Sequence, residues 1–279
     1  MASAQRKIST TDVFLAGYGG IFIAFLYAPL LLLLIYSFNA NTVNMAVWSG
    51  FTLDWYRSLF GLKTNLTSDV FYIESTDQLL AAVRNSLIVA ILASGISTII
   101  GTAAAIAMAR FRFKAKGFYD ALLLMPMIMP DIVLGIALLI FFVGAGFKLG
   151  IATIVLGHCS FLASYVFIVV SARLAGMDRT LERASADLGA SPRTTFFKIT
   201  LPQMMPGVVG GFLLAFIISL DDVVITYFIA GVDSQTLPLF ILGMMRRGIK
   251  PEINALAMLL VLFSFMVAAT GLYVRSRRD

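Results

Sequence analysis

Six long apolar runs, separated by polar stretches, dominate the pattern of this chain. They cover residues 13–38, 85–109, 119–146, 151–172, 205–230 and 253–274. Each run is long enough to cross the hydrocarbon core of a bilayer as an α-helix, which takes about 20 residues. The runs are continuously apolar and do not alternate with polar residues, so membrane-spanning strands are disfavoured. The pattern predicts an all-α integral membrane protein with six transmembrane helices.

The composition narrows the classes of function. Hydrophobic residues make up 59% of the 279 residues and charged residues 13%, and the mean hydropathy is +0.92. A soluble chain of this size cannot bury so much apolar surface, which excludes soluble enzymes, disordered chains and nucleic-acid-binding domains. Cys159 is the single cysteine and His158 the single histidine, so no internal disulfide and no metal or catalytic site is expected. Both are expected to pack or to form interhelical hydrogen bonds in the fourth run.

Basic residues set the expected orientation in the membrane. If the N-terminus is cytoplasmic, 14 of the 21 Lys and Arg residues fall in segments on that side. The positive-inside rule then favours both termini in the cytoplasm. The main exception is a basic cluster (Arg246, Arg247 and Lys250) that follows the apolar segment 237–245. That segment is too short to span the membrane and is expected to form a re-entrant or interfacial helix.

Two connections are long for a compact bundle. The external one, about 39–82, is polar, and loops of this length are usually functional or contain short helices. The internal one has the pattern of two short helices, the first ended by Gly189 and the second capped by Ser191. Leu201-Pro202 is expected to end the second helix, and Pro206 to start the fifth span. This pattern fits either a helix on the membrane surface or a docking surface for a soluble partner.

The internal connection resembles the EAA loop of ABC importer permeases, in which E-A-A is followed by G and later by I-x-L-P. Ala184 and Gly189 match the spacing, as do Ile199, Leu201 and Pro202. In this family the loop forms the coupling helix, which fits a groove on the ATP-binding subunit. The resemblance therefore implies that the loop is the docking surface for an ATPase.

The loop departs from the family pattern at two positions. Arg183 stands where the family has its glutamate, and Ser185 replaces the second alanine. Glu182 comes one residue early, so the role of the family glutamate cannot be assigned to it from the sequence. The residues that the resemblance implies in ATPase coupling are Glu182, Arg183, Ala184, Asp187, Gly189, Ile199, Leu201 and Pro202.

Further segments resemble the PotC-like permeases of spermidine/putrescine transporters. They are 219–224, 236–239 and 251–257, with support from 129–131 and 187–190. The resemblance covers nearly the whole chain and weakens in the external loop. It implies the type I ABC importer permease fold and a non-catalytic subunit that forms the translocation path for polyamines. The implied location is the bacterial cytoplasmic (inner) membrane.

The resemblance also implies partners and an organisation. A second, homologous permease would form a heterodimer with this chain, an ATP-binding-cassette ATPase dimer would dock at the coupling loop, and an external binding protein would deliver the polyamine. The chain has no nucleotide-binding motif, so ATP is expected on the partner subunit, and no cofactor or nucleic acid is expected here. The expected segments are a cytoplasmic tail (1–12), a first transmembrane helix (13–38), an external loop (39–82), a five-helix core (83–274) with its coupling loop at about 177–202, and a cytoplasmic tail (275–279).

Two adjacent carboxylates, Asp221 and Asp222, lie past the middle of the fifth run. A carboxylate at the bilayer centre costs at least ~2.5 kcal/mol, so it is usually functional or paired. Adjacent residues of a helix point about 100° apart, so both face one cavity only if the helix is broken there. Two interpretations are open. The pair either attracts a cationic substrate, with Tyr227 and Phe228 as aromatic faces, or it pairs or caps helices.

Two more acidic residues have two interpretations each. Pro126 and Pro130 are expected to kink or break the third run, and broken membrane helices occur where they line cavities. Asp131 is then either a cavity residue or an N-cap, and Glu252 is either a polar contact in the path or a cap of the sixth helix. The predicted substrate-path residues are Asp221, Asp222, Tyr227, Phe228, Asp131 and Glu252.

Two other functions stay open at this point. One is an ABC importer permease for another small cationic or organic solute, because the binding protein often sets the cargo. The other is an ATP-independent secondary carrier, which inverted repeats would support, but none is evident in the sequence.

Overall fold

The computed structural model describes residues 10–42, 47–60, 62, 76–247, 253–259, 261–262 and 265–266. In these residues the secondary structure is helical apart from one isolated antiparallel bridge between Asn39 and Phe51, which confirms the all-α prediction there. The chain divides into two compact units. The first combines Met1–Ile73 with Arg246–Asp279, and the second is Glu74–Met245.

The first unit contains α1 (Thr10–Tyr36), which is the helix predicted for the first apolar run, and the short helix α2 (Asp54–Leu59). The chain between them turns back on itself where Asn39 pairs with Phe51. The Trp55 indole N–H of α2 donates to the Asn39 carbonyl oxygen at 2.7 Å. The long external connection therefore contains a short helix, as its length suggests.

The second unit is built from helices that follow one another closely in the chain. They are α3 (Thr76–Arg110), α4 (Lys116–Ile128), α5 (Asp131–Gly144), α6 (Ile151–Ala175), α7 (Thr180–Asp187), α8 (Pro192–Thr195), α9 (Leu201–Asp221), α10 (Val224–Ile229) and α11 (Leu237–Arg247). A π-helical turn, Phe196–Thr200, joins α8 to α9.

Helix α6 lies at the centre of the second unit and packs against α3 and α9. Leu162, Val166 and Val170 of α6 are fully buried. Gly101 of α3 approaches α6 so closely that a Cβ atom there would lie 2.7 Å from the Ala163 carbonyl oxygen. Small residues permit such close packing of membrane helices, and at Gly101 the contact lies within this chain.

Among the described residues, four helical stretches are long and apolar enough to span a membrane. The pair α4 and α5 provides a fifth if its two halves, bent by 103°, are counted as one span. Half of the sixth predicted run, 253–274, lies outside the described residues, and the half that is described is helical. Helix α11 forms where the short apolar segment 237–245 was expected to be helical.

The third run is broken at Pro130, whereas Pro126 stays within α4. Met129 has the extended conformation that is favoured before a proline, with a ψ angle of 140°. Of the two interpretations of Asp131, the one that makes it an N-cap is wrong by one position. Pro130 is the N-cap, and Asp131 is the first residue of α5, where a carboxylate is favoured by the positive end of the helix dipole.

Three predicted helix boundaries are also wrong. Pro206 does not start the fifth span, because α9 begins at Leu201 and contains Pro206. Helix α3 begins at Thr76, well before the apolar run at 85, because polar first turns add nothing to an apolar pattern. Leu201-Pro202 does not end the second loop helix, since α8, the π-helical turn and α9 are continuous. Proline normally removes one hydrogen bond and its ring clashes with the preceding turn. The wider π-helical turn directly before Pro202 accommodates the ring.

Candidate functional site

The fifth apolar run is not one helix, because α9 ends at Asp221 and α10 begins at Val224. Between them Asp222 is extended, with φ −67° and ψ 126°. Its carboxylate turns back onto the next helix and accepts hydrogen bonds from the backbone N–H and the hydroxyl of Thr226, both at 2.8 Å. The break is therefore made by a capping interaction that an apolar pattern does not reveal.

His158 of α6 joins the two halves of the broken span. Its side chain is fully buried. Nδ1 lies 2.8 Å from the Ser219 hydroxyl of α9, and Nε2 lies 3.2 Å from Asp222 Oδ2 and 3.0 Å from the Thr226 hydroxyl. We call these four residues, His158, Ser219, Asp222 and Thr226, the break cluster. The interhelical hydrogen bonding expected of His158 is confirmed.

One hydrogen-bond direction in the break cluster is fixed. The Thr226 hydroxyl donates to Asp222 Oδ2, so it accepts from His158 Nε2–H. The other ring nitrogen, Nδ1, shares a hydrogen bond with the Ser219 hydroxyl. The Asp222 carboxylate is therefore surrounded by hydrogen-bond donors. Asp222 therefore takes the pairing and capping geometry that was one of its two interpretations.

Helix α10 packs closely against glycines of the neighbouring helices α5 and α6. A Cβ atom on Gly135 of α5 would lie 2.6 Å from Cδ2 of the Phe228 ring. Gly157 of α6 meets the Ile229 side chain in the same way, and the Thr153 hydroxyl donates to the Ile229 carbonyl oxygen at 2.9 Å. Phe228 is thus half-buried as a packing residue of α10.

The predicted path residues lie in different environments. Asp221, Tyr227 and Asp131 are exposed, Tyr227 with 49% of its surface accessible. Asp222 is held in the break cluster, and its side chain is 9% exposed. Glu252 lies outside the described residues, as do Lys250 and the side chains of Arg246 and Arg247.

The two broken spans are neighbours within the second unit, because α5 packs on α10. Gly135 of α5 contacts Phe228 of α10. Leu138, further along α5, and Ile229 of α10 both contact Gly157 of α6. Asp131 lies one turn before Gly135, so the break at Pro130 is about one turn of α5 away from the contact with Phe228.

A second group of polar contacts fixes the internal loop. Arg110, at the end of α3, forms a two-pronged ion pair with Glu182 of α7, with one contact at 2.7 Å. Glu182 also accepts a hydrogen bond from the Thr200 hydroxyl at 2.7 Å. Partial burial raises the pKa of the Glu182 carboxyl, but the hydrogen bonds from Thr200 and Arg110 outweigh this, so its pKa lies below the ordinary value.

The loop itself has the predicted capping chemistry. Helix α7 ends before Gly189, whose φ of +80° favours glycine. The Ser191 hydroxyl caps α8 by accepting from the Thr194 N–H at 3.3 Å. Ser185 and Thr195 share a hydrogen bond that joins the two short helices. The sequence prediction of two capped helices is confirmed.

One face of the internal loop, which we call its open face, consists of exposed residues. Arg183, Ala184 and Asp187 are exposed, and 89% of the Leu188 surface is accessible. Toward the membrane part, Ile199 and Leu201 are half-buried, and Pro202 is exposed. An exposed leucine beside an open glycine is an apolar contact point that a partner protein can cover.

Sequence reasoning missed the residues that hold these two sites in place. Arg110, Thr200, Ser219 and Thr226 were not among the predicted site residues. Thr226 has no visible signal, because a carboxylate caps a helix through backbone N–H groups whatever residue carries them. The pairing of Arg110 with Glu182 joins residues 72 apart and has no sequence signal. Among the described residues, no group of His, Cys, Asp and Glu is arranged to hold a metal ion.

Comparison with known proteins identifies relatives. The sequence pattern of the family described as "Binding-protein-dependent transport system inner membrane component" matches residues 97–278. The putrescine transport system permease protein PotI of Escherichia coli (strain K12) is 38% identical over 262 residues, covering 91% of this chain and 88% of PotI. The spermidine/putrescine transport system permease protein PotC of Haemophilus influenzae is 38% identical over 256 residues, covering 92% of this chain and 94% of PotC.

Solved structures show the same fold at low identity. A bacterial ABC transporter involved in the import of the acidic polysaccharide alginate matches with a TM-score of 0.70 and 12% identity, over 97% of this chain and 98% of that chain. An inward-facing form of the MetNI methionine ABC transporter matches with a TM-score of 0.61 and 18% identity, over 73% and 97%. With the family pattern and the sequence relatives, these matches show that the chain belongs to the binding-protein-dependent transport system inner membrane components, the non-catalytic permease subunits of ABC importers.

Proposed function

We propose that this chain forms part of the translocation path of a polyamine importer, with spermidine or putrescine as cargo. The observation that carries the proposal is the broken fifth span, where Asp221 is exposed at the end of α9 in an otherwise apolar run. The sequence relatives named for putrescine and spermidine/putrescine transport support the cationic cargo.

The exposed side chains near the breaks suit a polyamine chemically. A polyamine is a flexible chain of ammonium groups joined by apolar spacers, so it needs spaced carboxylates and aromatic or apolar faces. Asp221 and Asp131 supply carboxylates, and Tyr227 supplies an aromatic ring. Because a membrane carboxylate costs at least ~2.5 kcal/mol, an exposed one in a broken span is best explained by a cationic occupant. Glu252 is proposed as a further polar contact on the path.

The open face of the internal loop is proposed as the docking surface for an ATP-binding-cassette ATPase dimer. Two features support this function: the exposed Leu188 at the end of α7, and the Arg110–Glu182 pair that ties the loop to α3. Motion of the ATPase can pass through this pair to the membrane helices, because an ion pair with two contacts resists bending. Arg183, Ala184, Asp187, Gly189, Ile199, Leu201 and Pro202 complete the proposed coupling set.

The importer is proposed to contain a second, homologous permease and an external binding protein that delivers the polyamine. Both termini of this chain are proposed to be cytoplasmic, because most basic residues then lie on the cytoplasmic side. This orientation also places the internal loop on the side where ATP is available.

Uptake by the assembled importer tests the proposal. The chain is co-expressed with its operon neighbours and reconstituted in proteoliposomes, with ATP inside and the binding protein outside. ATP-dependent uptake of labelled spermidine or putrescine is the expected result. ATP-dependent uptake of another solute, with neither polyamine transported, would contradict the cargo. Equal uptake with and without ATP would contradict the coupling role of the loop.

A further inference from the structure

We infer that His158 is a positioning residue that keeps Asp222 out of the cargo path, so that Asp221 alone of the two adjacent carboxylates meets the cargo. The inference rests on the proposed function, because it divides the roles within the same break between α9 and α10. It concerns the break cluster, whose members come from α6, α9 and the start of α10.

The hydrogen bonds around Asp222 leave little room for a cargo ammonium group. Its Oδ2 atom receives the Thr226 N–H and hydroxyl at 2.8 Å and lies 3.2 Å from His158 Nε2. Its Oδ1 atom accepts a longer bond from the Ile225 N–H at 3.4 Å. An ammonium group would have to displace these donors, and buried donors left unpaired are costly. The side chain is also only 9% exposed, whereas Asp221 next to it is exposed.

His158 is the member that links three helices. One ring nitrogen holds Ser219 near the end of α9, and the other holds Asp222 and Thr226 at the start of α10. An imidazole provides these two contacts on opposite sides of a rigid ring, so the separation of the two helix ends is fixed. Without the Nε2 contact the Asp222 carboxylate loses its donor from α6. The break then loses its anchor to α6.

The first test compares the two aspartates by thiol labelling in the assembled importer. Because Cys159 is the single cysteine of this chain, Cys159→Ser makes the chain cysteine-free, and serine can keep the hydrogen bond to the Ala93 carbonyl. The labelling of this chain is measured after it is separated from the other subunits. A small cationic thiol reagent is expected to label Asp221→Cys at least about 10-fold faster than Asp222→Cys, since access limits the reaction of a buried thiol. Equal labelling rates would overturn the inference.

The second test uses a matched pair of substitutions at His158. The amide of His158→Gln reaches the position of Nε2 and keeps a donor toward Asp222, whereas the amide of His158→Asn reaches only the position of Nδ1. Uptake per assembled importer is expected to stay within about 3-fold of wild type for His158→Gln and to fall at least about 10-fold for His158→Asn. Normalising to the assembled complex removes losses caused by misfolding. Equal uptake by the two variants would contradict a positioning role.

The two tests separate this inference from the proposed function. Labelling rates at 221 and 222 do not depend on the identity of the cargo. If the wild-type importer transports neither polyamine, the proposed function fails, while faster labelling at 221 still supports the placement of Asp222. If polyamine uptake is normal but the two cysteines label alike, the inference fails and the proposed function stands.

Discussion

At the scale of single residues, Asp221 and Asp222 show how neighbours in sequence acquire different environments. The end of α9 leaves Asp221 exposed, and the extended backbone of Asp222 points its carboxylate at Thr226 and His158. The cause is local, because a residue whose carboxylate caps the following helix no longer belongs to the preceding helix. The charge of Asp222 is thereby satisfied inside the protein.

Thr226→Val is a near-isosteric test of this network. It removes the hydroxyl that donates to Asp222 and accepts from His158, leaving both buried groups short of a partner. We expect a loss of about 1–3 kcal/mol in stability. Thr98→Val is the matched control, because the Thr98 hydroxyl bonds only the Ser94 carbonyl within its own helix among the described contacts. Thermal unfolding of the two variants in detergent should show the larger fall for Thr226→Val, and equal falls would contradict the account.

The sequence contains part of this information. It shows that two carboxylates in an apolar run need an explanation, and that both can face one cavity only if the helix breaks. It does not show which one is exposed, because that depends on His158, which is 64 residues away from Asp222 in the chain. Long-range hydrogen bonds of this kind have no periodic signal.

At the scale of elements, the short helix α10 is held by close contacts rather than by its own length. A helix of six residues is not stable alone, so its packing against α5 and α6 decides its position. Gly135, Gly157 and Gly231 each leave space that a neighbouring group fills. These contacts position the break, and with it the exposed carboxylate.

Gly231→Ala tests the packing at the end of α10. A Cβ atom on Gly231 would overlap the backbone carbonyl of Leu149, and a backbone group cannot rotate away as a side chain can. We expect a loss of about 1–3 kcal/mol, as is usual for overpacking. Gly144→Ala is the control, since a Cβ atom there meets nothing within 4 Å. If Gly231→Ala unfolds at the same temperature as Gly144→Ala, close packing at the end of α10 does not contribute to stability, which would contradict the account.

The internal loop makes a prediction about pH. The folded pKa of Glu182 lies below the ordinary value of 4.5, so its charge stabilises the folded loop at neutral pH. That stabilisation is lost as the pH falls through the folded pKa. Glu182→Gln should therefore reduce hydrogen-exchange protection of residues 180–200 at pH 7, and the difference from wild type should shrink below pH 4.5. A difference that does not depend on pH would show that the carboxylate charge has no role.

The sequence predicts this loop better than it predicts the broken spans. Capping residues such as Ser191 and Gly189 act within a few positions, so their pattern is visible in the chain. The π-helical turn before Pro202 is not visible in the same way, because no residue type marks it in the chain. The proline there was therefore expected to end a helix that it does not end.

At the scale of the whole molecule, the family, the fold and the run of apolar segments agree on an ABC importer permease in the inner membrane. The apolar pattern alone is enough to predict the membrane-spanning helices, because each span must satisfy its own backbone in lipid. The family assignment rests on the sequence relatives. The apolar pattern does not show that the fifth span is broken, since a break changes no residue's hydropathy. The break in the third span was expected only from its prolines.

The orientation is open to a direct labelling test. In the Cys159→Ser background, cysteines at Ser3 and Ser276 should react with an impermeant reagent only from the cytoplasmic face, because both lie in basic tails. A cysteine at Ser49, an exposed position in the connection after α1, should react only from outside. Labelling of Ser3→Cys from outside would invert the proposed topology.

The most direct test of the central claim is the uptake of spermidine and putrescine by importers that carry Asp221→Asn. The claim is that this exposed carboxylate contacts a cationic cargo, so ATP-dependent polyamine uptake per assembled importer should fall at least about 10-fold. Asp233→Asn is the matched control, because Asp233 is also exposed and asparagine tolerates its φ of 64°. Wild-type uptake by Asp221→Asn would contradict the account. A loss confined to Asp221→Asn, with Asp233→Asn unchanged, is the result that the account predicts.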